Sequence, residues 1–364
     1  MKTIRLLAAL LTAAALLAVL PAASAADAIR KMVNLGDSIG AGAGVTGYKP
    51  GQDSYECRSY ANLLGEALGL EGGKTMRNYA VGGDRSANLL SRLKNANTVK
   101  DLADADLVVV SIGGNDLLAC LRSLAALATG KPVSSVEQAL SLFLKADAAD
   151  LETLAARPEY AETVDASMNA YESNLRQITE KLQTLAPQAR VIFLLQYNPT
   201  EGISSFEGFQ TLAGPLLDRL NGITESVAAE AGFETADIPS VINGEGSQKT
   251  HILSGDIHPN AEGYKAIYEY LYDMVCPPEE TAAETTAAET TVPATTAPDT
   301  TVADTTAPDT TVADTTAPVT TAPETAPETA PEAASGGSAV WIAAAAAAAI
   351  VLGGAVIVLR KRKR

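Results

Sequence analysis

Histidine and cysteine are scarce in this chain of 364 residues, with two of the first and three of the second. Two histidines leave few candidates for a general base. The cysteines, Cys57, Cys120 and Cys276, fit no zinc-binding spacing. Aromatic residues make up 5% of the chain, and 27 Lys and Arg stand against 43 Asp and Glu. No basic stripe with interleaved aromatics occurs, which argues against a nucleic-acid partner. From Pro277 to Ser338 there is no Lys or Arg, and there are too few large apolar groups to offset chain entropy. No LPxTG-type sortase motif precedes the apolar run that follows.

What is present divides the chain into segments. Lys2 and Arg5, the apolar run Leu6–Leu20 and the small residues Ala23-Ser24-Ala25 read as an export signal over residues 1–25. Residues 277–338 are mostly Thr, Ala, Pro, Glu and Asp, and the ten residues 299–308 repeat at 309–318. That composition predicts a disordered stalk, able to reach on the order of 190 Å if extended. The acidic stalk accounts for much of the net charge of −16. Its Thr and Pro content suits O-glycosylation. The apolar run 339–359 is long enough, at about 32 Å of helix, for a transmembrane span. The basic residues 360–364 after it predict a cytoplasmic tail, with the bulk of the protein outside a single-pass anchor. Retention of that helix is the reading we take over its removal as a sorting signal.

Residues 26–276 remain as one compact domain. In an exported chain three cysteines suggest one disulfide and one odd thiol. Cys57 and Cys120 are the favoured pair, because each follows one of the polar motifs described next.

Strand and helix patterns alternate through the domain. Strands are expected at Lys31–Leu35, Arg77–Val81, Leu107–Ile112, Arg190–Gln196 and Phe233–Ile238. Helices are expected at Ser59–Leu70, Tyr171–Leu185, Gly214–Ala231 and Ala261–Val275. Such alternation implies a parallel sheet covered on both faces, an α/β fold. The helical stretch between Asn115 and Arg190 exceeds a simple crossover and is expected to form a cap beside a site. Ligands of open parallel sheets bind beyond the carboxyl ends of the strands. Polar motifs stand at those ends: Gly36-Asp37-Ser38 after the first, Gly83 after the second, Gly113-Gly114-Asn115-Asp116 after the third.

Ser38 sits on a turn followed by Gly40, Gly42 and Gly44, which leave it open to a substrate. A serine hydroxyl needs a base to become a nucleophile. His258, in Gly255-Asp256-Ile257-His258-Pro259-Asn260, is the better candidate, held between Asp256 and Pro259, with Asn260 as cap of the last helix. His251 reads as an ordinary loop residue. Gly36-Asp37-Ser38-Ile39-Gly40 also fits the G-x-S-x-G elbow, but that elbow follows several strands and this one follows the first.

Together these residues resemble the GDSL/SGNH hydrolase family. Val33-Asn34-Leu35-Gly36-Asp37-Ser38 is similar to its first block and Asn78–Asp84 to its second, with Gly83 at the oxyanion glycine. Ser111–Asp116 is similar to the third, with Asn115 at the oxyanion asparagine, and Asp256–Asn260 to the fifth. The resemblance implies a three-layer αβα sandwich with a parallel sheet and the hydrolysis of carboxylic esters. It implies proton removal from Ser38 by His258, with the oxyanion held by the N–H groups of Ser38 and Gly83 and by the Asn115 amide. No metal or cofactor is needed. One position departs from the pattern: the triad carboxylate is expected three residues before the histidine, where Gly255 stands, while Asp256 is two before. Either Asp256 still reaches the imidazole, or a Ser–His dyad operates. Asp37 and Asp116 read as local supports accepting N–H bonds within their own turns.

Three functions fit these features: an esterase or lipase-like acyl hydrolase, a surface carbohydrate O-acetyl esterase, and a weakly catalytic ligand-binding module. The expected partners are an ester of a small molecule, glycan or lipid, and the membrane.

Overall fold

The computed structural model describes residues 29–50 and 55–277. The expected signal segment 1–25, the stalk beyond Pro277, the span 339–359 and the basic tail lie outside the described residues. Among the described residues no helix is long and apolar enough to cross a membrane.

Five strands form one parallel sheet: β1 (Met32–Gly36), β2 (Met76–Asn78), β3 (Leu107–Ser111), β4 (Arg190–Leu194) and β5 (Glu234–Ala236). Their order across the sheet is β2-β1-β3-β4-β5. Every residue of β1 and β3 is buried, because side chains alternate between two covered faces. Val33, Leu35, Val108, Val110, Val191 and Phe193 enter one apolar cluster. Met32, Leu107, Val109, Ile192, Leu194 and Ala236 enter the other. Two separate cores, one on each side of a single sheet, make the three-layer αβα arrangement.

Each helix layer follows from residue spacing. On the first face lies α8 (Pro158–Leu185), which buries Val164, Met168, Tyr171, Leu175, Ile178 and Leu182, a stripe with steps of three and four. It begins well before the expected Tyr171, with Pro158 in its first turn, where the missing N–H costs nothing. With it pack α3 (Ser86–Arg92), α4 (Ala96–Leu102), α5 (Gly114–Thr129), α6 (Val136–Phe143), α7 (Ala148–Ala155) and α9 (Glu207–Glu230). On the second face, α2 (Tyr60–Ala67) and the short helices α10 (Pro239–Ile242) and α11 (Gly246–Lys249) lie beside α12 (Ala261–Val275), which buries Tyr264, Ile267, Leu271 and Val275. Ser59 caps α2 through a bond to Asn62 N, and Asn260 caps α12 through bonds to Glu262 N and Gly263 N.

Other expectations need correction. The second strand ends at Asn78 rather than Val81, although Tyr79 N and Val81 N still donate to Asn34 O and Gly36 O of β1. The last strand is only Glu234–Ala236. The stretch between Asn115 and Arg190 is not all a cap, since α8 covers the sheet. Cys57, Cys120 and Cys276 are all thiols, so the favoured Cys57–Cys120 bridge is not made. The sheet separates that pair: Cys120 lies in the first core, whereas Cys57 Sγ faces Ala41 O and Asn62 on the side of α2.

The connection from β1 leads outward to β2, and the chain then returns to place β3 on β1's other side. That reversal opens a crevice at the carboxyl ends of β1 and β3, the usual ligand position in such sheets.

Candidate active site

Ser38 opens α1 (Ser38–Ala41), a single helical turn directly after β1. The strand can turn so sharply because Gly36 has φ of 133° and its backbone touches β3. A Cβ there would lie 1.9 Å from Ser111 O. Asp37, 1% exposed, caps the turn by accepting from Ile39 N at 3.0 Å. Its Oδ1 also accepts from Ser111 Oγ at 3.3 Å, joining the ends of β1 and β3. Burial pushes its carboxyl up to about 7, against the hydrogen bonds from Ile39 and Ser111 and the charge of His258.

Beneath the turn lies a buried amide network. Asn34 Nδ2 donates to Gly40 O at 3.1 Å and to Asn78 Oδ1 at 2.9 Å, while Asn78 Nδ2 donates to Gly40 O at 2.9 Å. Tyr60 OH donates to Asn34 Oδ1 at 2.9 Å, and Ala80 N to Asn78 Oδ1 at 3.1 Å. Two asparagines thus lock the serine turn to the segment leading to Gly83.

Gly83 has φ of 85°, and a Cβ there would meet nothing within 4 Å. Its backbone therefore faces open space, and the left-handed geometry excludes most side chains. The next residue, Asp84, is gripped by the Arg92 guanidinium, with Nη2 at 3.0 Å from Oδ1. Asn115, in the first turn of α5, donates from Nδ2 to Asp84 O at 3.0 Å. A primary amide carries two N–H bonds, so a second donor remains. Asp116 was expected to support only its own turn, and it does more. It reaches 30 residues back, accepting from Ser86 N at 2.9 Å and Ser86 Oγ at 2.7 Å, and so fixes α3 against α5. Burial leads in raising its carboxyl above the ordinary value.

His258 is buried, in the loop before α12. Asp256 Oδ1 accepts from His258 N at 3.0 Å and lies 2.5 Å from its Nδ1. A carboxylate that captures the N–H two residues on forms an Asx turn, and that turn swings it onto the ring. This is how an aspartate two residues before the histidine reaches it. Burial alone would raise the Asp256 carboxyl; hydrogen bonding and charge from His258 outweigh it and hold the group below its ordinary value. Tyr197 OH donates to Ile257 O at 2.7 Å, bracing the loop from β4's end. His251 Nε2 lies 2.8 Å from Gly44 O, tying the segment after Ser38 to the histidine loop. A Cβ on Gly44 would stand 3.0 Å from His258 Cβ, so the two segments are in direct contact.

One cavity of about 110 Å³ runs between these parts. Ser38, Asn115 and Ile257, the neighbour of His258, all line it. Gln196, Tyr197 and Asn198 at the end of β4, and Leu140 and Phe209 from the helices, had no motif to mark them. The strand-end rule that located Ser38 and Asn115 would have pointed to the β4 residues. No group of three or more potential metal ligands occurs among the described residues.

Comparison with known proteins places this arrangement. Among curated proteins, the chain is similar to the uncharacterized protein YpmR of Bacillus subtilis (strain 168). The two are 24% identical over 200 residues, covering 55% of this chain and 66% of YpmR. The chain therefore spans just under two thirds of that relative. Among solved structures it is similar to phospholipase A1 from Streptomyces albidoflavus NA297, at 18% identity and TM-score 0.47 over 68% of this chain and 99% of that one. It is similar too to the extracellular lipase of Streptomyces rimosus, at 20% identity and TM-score 0.46, covering 67% and 98%. Axe2, an acetylxylan esterase from Geobacillus stearothermophilus, matches at 14% identity and TM-score 0.42, covering 68% and 94%. A model of the GDSL-like lipase/acylhydrolase family matches residues 35–266, well over half the chain. On that match, which takes in Ser38, Gly83, Asn115, Asp256 and His258, the chain belongs to the GDSL-like lipase/acylhydrolase family.

Proposed function

We propose that the protein hydrolyses carboxylic esters through an acyl-Ser38 intermediate. His258 takes the proton from Ser38 Oγ as the oxygen bonds to the ester carbonyl carbon. The tetrahedral oxyanion accepts from the N–H groups of Ser38 and Gly83 and from the Asn115 amide. Collapse expels the alcohol, which receives the proton from the imidazolium. A water then attacks the acyl-enzyme, with His258 again as base, and releases the acid and free Ser38. Asp256 holds the imidazole with Nδ1 protonated, so that Nε2 is the basic nitrogen, and stabilises the positive charge that forms.

The observation that carries this reading is the Asp256 carboxylate on His258 Nδ1 at 2.5 Å, in a loop that abuts the segment after Ser38. It favours a Ser–His–Asp triad over a dyad. Removing one oxyanion donor typically costs about 2.7–4 kcal/mol of barrier, so Asn115→Ala is expected to lower kcat roughly a hundredfold to a thousandfold. The direct test is hydrolysis of p-nitrophenyl butyrate by the full chain, with Ser38→Ala and His258→Ala each reduced to near background. Wild-type rates from either variant would remove the proposal.

The enzyme works on the outer face of the cell membrane, exported by residues 1–25 and held by 339–359 at the end of the 277–338 stalk. Protease treatment of intact cells expressing the chain tests this: the 26–276 domain is released while 360–364 stays protected. A domain cut only after lysis would contradict it.

A further inference from the structure

We propose that the cavity beside Ser38 is an acyl-chain slot, and that Ala213 and Leu140 set the chain length it accepts; this rests on the hydrolase reading above. The slot has walls from three helices. Leu117, Leu118 and Leu121 come from α5, Leu140 from α6, and Phe209, Ala213 and Leu217 from α9. The α9 residues are four apart and so stack along one helix face. The eight steps from Phe209 to Leu217 rise about 12 Å, a stripe long enough for a chain of several carbons. Within it the sizes run large, small, large, and Ala213 is the gap that keeps the slot open.

The chemistry of the lining selects the ligand. Asp37 is the one carboxyl among the lining side chains, which include no lysine, arginine or histidine, and it is buried under the serine turn. Of the polar side chains that also line it, Gln196 already donates to Ile112 O, Tyr197 to Ile257 O and Thr200 to Asn198 Oδ1. Between the leucines a sugar ring would find few hydrogen-bond partners, whereas an alkyl chain is dehydrated there at a gain. An acetyl group would leave the α9 stripe unused. Each methylene that enters is expected to raise kcat/KM roughly threefold to fourfold, from the transfer value of a buried CH₂.

Leu140 suits a length-setting role because it packs at the edge of the first core and not within it. The helix is anchored by Ala139 and Phe143, which are 0% and 2% exposed in the core, while Leu140 is only half-buried. Ala139 and Phe143 still anchor α6 when Leu140 is changed.

The test is a chain-length profile on the full chain, with p-nitrophenyl acetate, butyrate, octanoate and dodecanoate. Wild type is expected to prefer octanoate to acetate in kcat/KM by tenfold or more. Ala213→Phe fills the gap and lowers the octanoate-to-acetate ratio at least tenfold. Leu140→Ala enlarges the slot and moves the optimum towards dodecanoate, which keeps the proposal testable should the larger substitution fail to fold. A wild-type enzyme that uses acetate as well as octanoate, or a Leu140→Ala profile parallel to wild type, overturns the slot while leaving the hydrolase intact. No Ser38-dependent hydrolysis of any ester would instead overturn the reading on which it rests.

Discussion

Asp256 and Asp37 divide the electrostatics of the site between a carboxylate kept ionised and a carboxyl pushed towards neutrality. Asp256 is hydrogen-bonded to both the backbone and the ring of His258, so Asp256→Asn removes the charge that steadies the imidazolium and favours the wrong tautomer. The expected loss in kcat is on the order of 10³–10⁴; a loss below tenfold in steady-state assays would mean that a dyad suffices. Asp37 behaves oppositely. Its folded pKa of about 7 lies above the unfolded value, so the folded state holds a proton that the unfolded chain releases first. Its contribution to stability is fully present below about pH 4, falls as pH rises, and is spent near pH 7. Asp37→Asn cannot ionise and is expected to be more stable relative to wild type at pH 8 than at pH 4. The difference is up to about 4 kcal/mol, at roughly 1.4 kcal/mol per unit. Urea denaturation of both proteins at the two pH values measures it, and an equal gap at both would contradict the assignment.

At the level of elements, the site depends on strand ends held in register by buried amides. Asn34 of β1 and Asn78 of β2 both bond Gly40 O and bond each other. Truncating either leaves buried polar groups unsatisfied, at about 1–3 kcal/mol each. Asn34→Ala and Asn78→Ala are expected to cost less together than the sum of the two, because they share one network. Additive losses in a thermal double-mutant cycle would mean that the two act separately. The elements themselves were legible in the sequence where burial is two-sided and runs are long. Val108–Val110 and Val191–Leu194 announce central strands, and Ala261–Val275 matches its helix end to end because Asn260 caps it. Legibility failed where tertiary contacts decide. Gly214-Pro215 suggests a helix start, yet α9 begins at Glu207 and carries Pro215 inside it. Glu234–Ala236 is too short and too exposed to show its edge-strand limits.

For the whole molecule, the sheet order turns separated motifs into one place. Ser38, Asn115 and Ile257 are far apart in sequence and line a single cavity. The polar residues of that site were visible because few other motifs follow the strands; its apolar wall was not. Leu140, Phe209 and Ala213 look like any other core residues, and nothing local says that a leucine faces a slot rather than the core. Likewise the thiol state of Cys57 and Cys120 depends on which face of the sheet each occupies. The described fold closes on itself by residue 277, with α12 packed into the second core. Residues 26–276 expressed alone are therefore expected to keep kcat/KM on p-nitrophenyl butyrate within about twofold of the full chain. A larger deficit, measured on folded protein, would give the remaining segments a part in catalysis.

Covalent trapping reads out whether Ser38 is an activated nucleophile. A fluorophosphonate added to the native chain should give one adduct, mapped by peptide mass spectrometry to Ser38, and slowed by orders of magnitude in His258→Ala. An unmodified Ser38 in folded protein, or labelling indifferent to His258, would contradict it.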